Sequence, residues 1–205
     1  MRGFSLRRLG AESTFAVLIT AFALVAMAAL PSAAAARRHR HRARHASFCP
    51  SPNIRVNSSS GGALRAAVVC LINQERAAHG LPGLRASRRL NRSAQGWTNA
   101  MVERDFFGHG SNFAARISAV GFNWSMAGEN IAAGFGTPRQ LVDGWMSSTG
   151  HCENILNPAF REVGTGVSAG SLDGTSSGTW TEDYGLGMNQ RPLSGNRGPM
   201  SGCPY

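Results

Sequence analysis

The sequence predicts a single α+β domain, with helices packed against a small antiparallel sheet. Apolar residues recur at helical spacing through the first part of the chain, whereas apolar and small residues alternate near its end. Helices that come first and a hairpin that comes last are typical of α+β domains. The 205 residues, 42% of them hydrophobic, suffice for one such domain with its own core.

Helices are predicted for four segments, each with a start or stop signal. Val68 and Leu71 fall on one helical face, and Gly80 ends that helix. Ser87 is placed to cap the second helix, whereas Thr137, followed by a proline, starts the fourth. The predicted helices cover residues 63–79, 88 to about 104, 113–120 and 138 onward.

Strands are predicted mainly in the last third of the chain. Val163, Thr165 and Val167 alternate with small residues, which is the two-residue period of a strand. Residues 170–178 are rich in Gly, Ser and Thr and are expected to form a turn, so that 179–188 returns as the partner strand. A further strand is expected near residues 130–133.

The first 36 residues have the pattern of a secretory signal peptide. Arg2, Arg7 and Arg8 precede an uncharged run over 13–30, and small residues follow at 33–36. The alternative is an uncleaved membrane anchor, because the run approaches the length of a spanning helix. No later stretch is apolar enough to span a bilayer, so we expect no transmembrane segment after signal removal. The protein is expected to be secreted, either extracellular or associated with the cell wall.

Residues 37–45 form a strongly basic segment, and 37–62 are expected to be a disordered tail and N-terminal extension. Five arginines and three histidines stand in 37–45, with no acidic residue. This segment is predicted to be a solvated spacer; the alternative is that it holds an anionic cell-wall polymer or a lipid headgroup, or takes up a metal. Residues 47–205 keep 13 arginines against 10 acids, a net charge of only +3, so no nucleic-acid partner is expected.

Four short motifs together resemble one family. They are FGH at 107–109, GENI at 128–131, WMSSTGH at 145–151 and WTEDYG at 180–185. In order and content they are similar to the CAP superfamily of cysteine-rich secretory, antigen 5 and pathogenesis-related proteins, in its bacterial secreted, SCP-like form. The resemblance implies a three-layer α-β-α sandwich over about 63–190, followed by a C-terminal tail at 191–205. It also implies a shared groove lined by His and Glu.

His109, Glu129 and His151 are the candidate site residues. Two imidazoles and a carboxylate suffice to hold a divalent cation such as Zn with one position open, and the same groups are candidates for acid and base catalysis. The alternative is a hydrogen-bonded cluster that braces loops. The resemblance places a second groove glutamate where this chain has Ser148, which weakens the transfer of metal binding or hydrolysis to this protein.

Cys49, Cys70, Cys152 and Cys203 are expected to form two disulfides in an exported chain, and three pairings are open. A bridge from Cys49 to Cys70 would clamp the N-terminal segment to the first helix. Cys152 and Cys203 would then tie the C-terminal tail to the groove region. A catalytic thiol at Cys152 is the less favoured alternative.

Two functions follow from these observations. The first is a secreted, groove-type binder of a lipid, glycan or peptide in the cell envelope or extracellular space. The alternative is a metal-assisted, peptidase-like extracellular hydrolase that uses His109, Glu129 and His151. The absent fourth carboxylate and the basic tail favour the binder.

Overall fold

The computed structural model describes residues 48–58, 61–172, 174, 177–192 and 202–204, in which helices and short strands alternate. A 3-10 turn at Val56–Ser58 precedes the first helix. The helices are α1 (Gly61–Ala78), α2 (Arg88–Glu103), α3 (Phe113–Ala119), α4 (Pro138–Met146) and α5 (Thr149–Ile155). The strands are β1 (Arg85–Ala86), β2 (Trp124–Ala133), β3 (Glu162–Ser168) and β4 (Thr179–Gly187).

The four strands form one sheet in the order β1-β3-β4-β2. Strands β3 and β4 pair antiparallel, with Val163 opposite Tyr184, which confirms the predicted hairpin. Strand β2 pairs antiparallel with β4 and forms an edge of the sheet; it is longer than the four residues predicted. The short β1 lies parallel to β3, so the sheet is mixed rather than purely antiparallel. A two-residue strand has no measurable period, which is why the sequence does not reveal it.

Helices cover both faces of this sheet, which confirms the α+β prediction and its three layers. On one face, α1, α4 and α5 bury a large apolar cluster against the strands; it includes Leu64, Val68, Leu71, Leu141, Trp145, Ile155, Trp180 and Tyr184. On the other face, α2 and α3 enclose a smaller cluster of Leu90, Ile117 and Phe122. Burial of these side chains supplies most of the driving force for folding.

Helix α2 lies directly on strand β3 because two glycines face it. A Cβ atom at Gly164 would overlap the backbone of Leu90, and one at Gly166 would overlap the backbone of Ala94. The close approach lets polar side chains of α2 reach the strand: the Thr165 N–H donates to Asn91 Oδ1 (2.9 Å). These side chains satisfy backbone groups that the two-residue β1 leaves unpaired.

The helix ends agree with the predicted signals at most positions. Thr137 caps α4, since its hydroxyl accepts a hydrogen bond from the Gln140 N–H (3.3 Å). Gly80 follows α1 with φ +71°. Ser87 does occupy the N-cap position of α2, but its side chain makes no capping hydrogen bond. His151 lies within α5, a separate helix that the chain starts at Thr149 after the predicted helix from 138 onward has ended.

Two disulfides are present, Cys49–Cys70 and Cys152–Cys203, so no thiol is free at Cys152. The first ties the N-terminal segment to α1, and the second holds residues 202–204 against α5. Among the residues described, no helix has the length and apolar character to cross a membrane. The predicted leader and the basic segment at 37–45 lie outside the described residues, and the domain boundaries stay predictions.

Candidate functional site

A half-open groove of about 460 Å³ lies between the edge strand β2, the loop at residues 107–109 and helices α4 and α5. Its lining is mostly apolar, with three polar side chains. It comprises Phe107, Gly108, His109, Ile131, Ala132, Ala133, Phe135, Gly144, Trp145, Ser148 and His151. The groove therefore brings together two of the three predicted site residues, and it contains Ser148 as well.

The loop that carries His109 is fastened to the helices beside it. The Trp97 indole N–H donates to the Gly108 carbonyl (3.0 Å), and the Arg116 guanidinium donates to the His109 carbonyl (3.0 Å). Gly110 adopts φ +69° directly against the Trp97 ring, where a Cβ would clash. Gly110 thus serves a tight turn beside His109, whose imidazole faces the groove.

Glu129 lies behind His109 and does not line the groove. Its side chain is 1% exposed, and its Oε1 lies 2.8 Å from His109 Nδ1. Its other oxygen accepts a hydrogen bond from Arg116, whose guanidinium also stacks on the Trp97 ring at 3.7 Å from the ring centroid. The carboxylate fixes the orientation of the His109 ring, and among the residues that the structure describes Nε2 of that ring has no such partner.

His151 reaches the groove from α5, and polar contacts hold this part of the helix against β2. The Asn130 side-chain amide donates to the His151 carbonyl (3.0 Å), and the His151 ring packs on Trp145 with centroids 6.4 Å apart. Burial lowers the pKa of His151 below its usual value, and the nearby His109 lowers it further. The imidazole is therefore neutral at pH 7 and able both to donate and to accept a hydrogen bond.

Two backbone carbonyls of β2 accept hydrogen bonds from side chains of the neighbouring helices. The Asn154 side-chain amide donates to the Glu129 carbonyl (3.2 Å), and the Trp145 indole N–H donates to the Ile131 carbonyl (3.4 Å). These two acceptors are therefore already engaged and are less available to an added strand.

Arg116 is the site residue that sequence reasoning missed. It stands in α3 among apolar and small residues, and its only sequence signal is a lone charge in a short helix. Only the fold shows that it neutralises Glu129. Asn130 and Asn154 belong to the quoted motifs or lie just beyond them, but their role in joining β2 to α5 (Asn154 Nδ2 to Asn130 Oδ1, 2.8 Å) depends on the tertiary structure.

The motif acids at 182–183 are buried on β4, away from the groove lining. Burial raises the pKa of Asp183 to about 8, with Glu129 adding to the rise and Arg116 opposing it. Burial likewise raises the pKa of Glu182 well above its ordinary value. Burial thus disfavours the charged form of both carboxyls, which is consistent with a structural position.

Among the residues described, the groove lining offers a metal two imidazoles and one hydroxyl, but no carboxylate or thiolate. Both Glu129 oxygens are engaged, and within the described ranges no group of three or more His, Cys, Asp or Glu side chains has the spacing to hold an ion. A cation here would take His109 Nε2 and His151 as protein ligands, with Glu129 orienting the first ring. Metal binding stays a prediction of the sequence.

Residues 69–184 match the cysteine-rich secretory protein family, abbreviated CAP. The uncharacterized protein YkwD of Bacillus subtilis (strain 168) is 38% identical over 132 residues, which is 62% of this chain and 48% of that protein. The chain therefore spans about half the length of this relative.

Two solved structures have a similar fold. An extracellular protein with an SCP domain from Bacillus anthracis superposes with a TM-score of 0.53 and 24% identity, over 62% of this chain and 44% of that one. An outer surface protein from Borrelia burgdorferi gives a TM-score of 0.53 at 19% identity, over 60% of this chain and 90% of that one.

Proposed function

Because this chain belongs to the CAP family of cysteine-rich secretory proteins, we propose that it is an exported binding module whose groove takes the acyl chain of an amphiphile. The observation that carries this proposal is the composition of the groove. Its walls are predominantly apolar, its volume of about 460 Å³ is in the range of small-ligand sites, and its few polar groups are two imidazoles and one hydroxyl.

The lining favours an acyl chain over a glycan or an extended peptide. A sugar needs many hydrogen-bonding partners, whereas most of the lining side chains have none to offer. An extended peptide would bind by adding a strand to β2. The Glu129 and Ile131 carbonyls that such a strand requires already accept bonds from Asn154 and Trp145.

The two imidazoles suit the polar end of an amphiphile. His109 is held at Nδ1 by Glu129, while 48% of its side chain remains exposed, so Nε2 is available to a ligand. A carboxylate or hydroxyl head group would hydrogen-bond to His109 and His151 while its chain lies against Ile131 and Trp145.

Export is supported by the two disulfides, which persist in oxidising compartments, and by the leader pattern at residues 1–36. The two similar structures belong to an extracellular protein and to an outer surface protein, which agrees with export. We further propose that residues 37–45 attach the protein to an anionic wall polymer or lipid surface.

The test is displacement of the fluorescent fatty acid cis-parinaric acid by saturated fatty acids of increasing length. Ser148→Trp, which fills the groove, should abolish binding. Ser147→Trp is the matched control, because Ser147 does not line the groove. Equal binding by both variants, or no binding by the unmodified protein, contradicts the proposal.

Metal-assisted hydrolysis remains the second candidate, and one contact favours it: Glu129 orients His109 as an acid orients a catalytic base. Metal analysis of the purified protein, followed by peptide cleavage with and without chelator, tests it. If the protein holds stoichiometric metal and cleaves peptides in a chelator-sensitive way, and if His151→Ala loses both properties, the protein is a hydrolase and the binding proposal is wrong.

A further inference from the structure

A second pocket, of about 510 Å³, lies at the start of α2 and is lined by basic residues. We infer that this pocket, which we call the arginine pocket, binds a phosphate group. Its lining consists of Arg85, Ala86, Ser87, Arg88, Arg89, Arg92 and Glu162. It lies at β1 and α2, and it shares no lining residue with the groove.

The charges of the arginine pocket are strongly unbalanced. Four arginines stand against one acid, Glu162, whose Oε1 already accepts hydrogen bonds from Arg85 (3.1 Å) and Gln190 (2.7 Å). Arg92 donates to the Val120 carbonyl (3.2 Å). In the described part of the chain, Arg88 and Arg89 have no acidic partner, so their guanidinium groups are available to an anion.

The backbone adds donors at the same place. The first intrahelical bond of α2 runs from the Asn91 N–H to the Ser87 carbonyl (2.9 Å). The amides of residues 88–90 therefore have no helical acceptor, and no acidic residue stands in the first turn to neutralise them. A helix start of this kind attracts anions through its N–H groups and its dipole.

The side chain of Ser87 distinguishes the arginine pocket from an ordinary helix N-terminus. It occupies the N-cap position and is 7% exposed, yet its hydroxyl caps nothing and lines the pocket. The hydroxyl oxygen itself is not sealed from solvent, so it opens onto the pocket and is free to donate to a ligand there. A phosphate oxygen in the arginine pocket would accept this hydrogen bond.

Phosphate fits this donor set better than a simple carboxylate does. It presents several strong acceptor oxygens around one centre, and arginine binds it through two parallel hydrogen bonds. The guanidinium groups, the amides of residues 88–90 and the Ser87 hydroxyl would surround it on one side. The phosphate could belong to a soluble phosphate ester or to an anionic phospholipid headgroup, which share this chemistry.

Nuclear magnetic resonance titration of the full mature chain with inorganic phosphate and with glycerol 3-phosphate tests the inference. We expect millimolar affinity, with the largest shifts at the amides of residues 87–90. Arg88→Gln/Arg89→Gln should weaken binding about fivefold or more, whereas Arg104→Gln/Arg139→Gln, with the same change in net charge elsewhere, should not. Ser87→Ala should also weaken binding without lowering the melting temperature, since it removes no capping bond.

Sedimentation with vesicles of phosphatidylglycerol, and of phosphatidylcholine as the neutral control, distinguishes the two sources. Loss of vesicle binding in the Arg88/Arg89 variant but not in the Arg104/Arg139 variant identifies a lipid headgroup. Phosphate shifts without such a difference identify a soluble ester. Absence of shifts at residues 87–90, or equal weakening in both double variants, overturns the inference.

Discussion

The carboxylate of Glu129 lies 2.8 Å from Nδ1 of His109 and is itself almost completely buried, so the acid meets the groove only through the imidazole. Arg116 balances the charge of Glu129 from the other side. This relationship makes Glu129 a positioning residue rather than a direct ligand of whatever occupies the groove.

Glu129→Gln should therefore weaken fatty-acid binding only when His109 is present. The substitution removes the charge that aligns the ring. We expect the affinity for fatty acid to fall about three- to tenfold, which corresponds to the usual free energy of one such hydrogen bond. In a His109→Ala background it should have no further effect on affinity. A double-mutant cycle measured with cis-parinaric acid checks this, and purely additive losses would show that Glu129 acts by another route.

His151 should titrate below its usual pKa near 6.5, with burial as the main cause and His109 as the second. Its charged form is disfavoured in the folded state, so its contribution to stability is present above the unfolded pKa and is lost as pH falls through the folded pKa. Nuclear magnetic resonance titration of the ring protons measures the value directly. His109→Gln should raise the pKa of His151 part of the way back toward 6.5, because it removes the second of the two causes. A His151 pKa at or above 6.5 in the unmodified protein would refute the buried environment.

Asp183→Asn should flatten the dependence of stability on pH. Because the folded pKa is raised to about 8, the protein takes up a proton at Asp183 on folding. That contribution is complete below the unfolded pKa near 4 and is lost as pH rises through about 8, at up to about 1.4 kcal/mol per pH unit. Urea unfolding between about pH 5 and 9 checks the slope. An unchanged slope in the variant would mean that Asp183 is ionised throughout.

Gly164→Ala should prevent stable packing of α2 on the sheet, since the added methyl group would overlap the Leu90 backbone. We expect a loss of several kcal/mol or failure to fold, as for other overpacked cores. Gly96→Ala is the matched control: it lies in α2 with no atom within 4 Å of the added carbon and should stabilise the protein by about 0.5–1 kcal/mol. Chemical denaturation of both variants measures the difference in stability. Similar unfolding midpoints would contradict the close contact between Gly164 and the Leu90 backbone.

The parts of this fold that rest on local chemistry are visible in the sequence. Thr137 with its following proline, Gly80 and the alternation around Val163 each predict an element because the neighbouring residues decide it. Strand β1 is different, since only its partner β3 makes Arg85–Ala86 a strand. The new helix at Thr149, which carries His151, does have a favourable N-cap residue in Ser148, but consecutive hydroxyl residues at 147–149 leave its first residue open in the sequence.

The site was predictable only as far as the family motifs reach. The motifs identify His109, Glu129 and His151. They do not show that Glu129 orients the His109 ring, because Glu129 is also bonded to Arg116, which lies in a different element and matches no motif. Ser87 shows the same limit. The sequence predicts that it caps α2, and only the structure shows that its side chain makes no capping hydrogen bond.

The most direct test of the groove proposal is intermolecular nuclear Overhauser contacts between dodecanoic acid and the methyl-labelled protein. The account predicts contacts from the acyl chain to Ile131 and Ala133, with carboxylate-dependent shifts of the His109 and His151 rings. Contacts confined to exposed apolar residues outside the groove, such as Phe48 and Met188, or none at all, would contradict it.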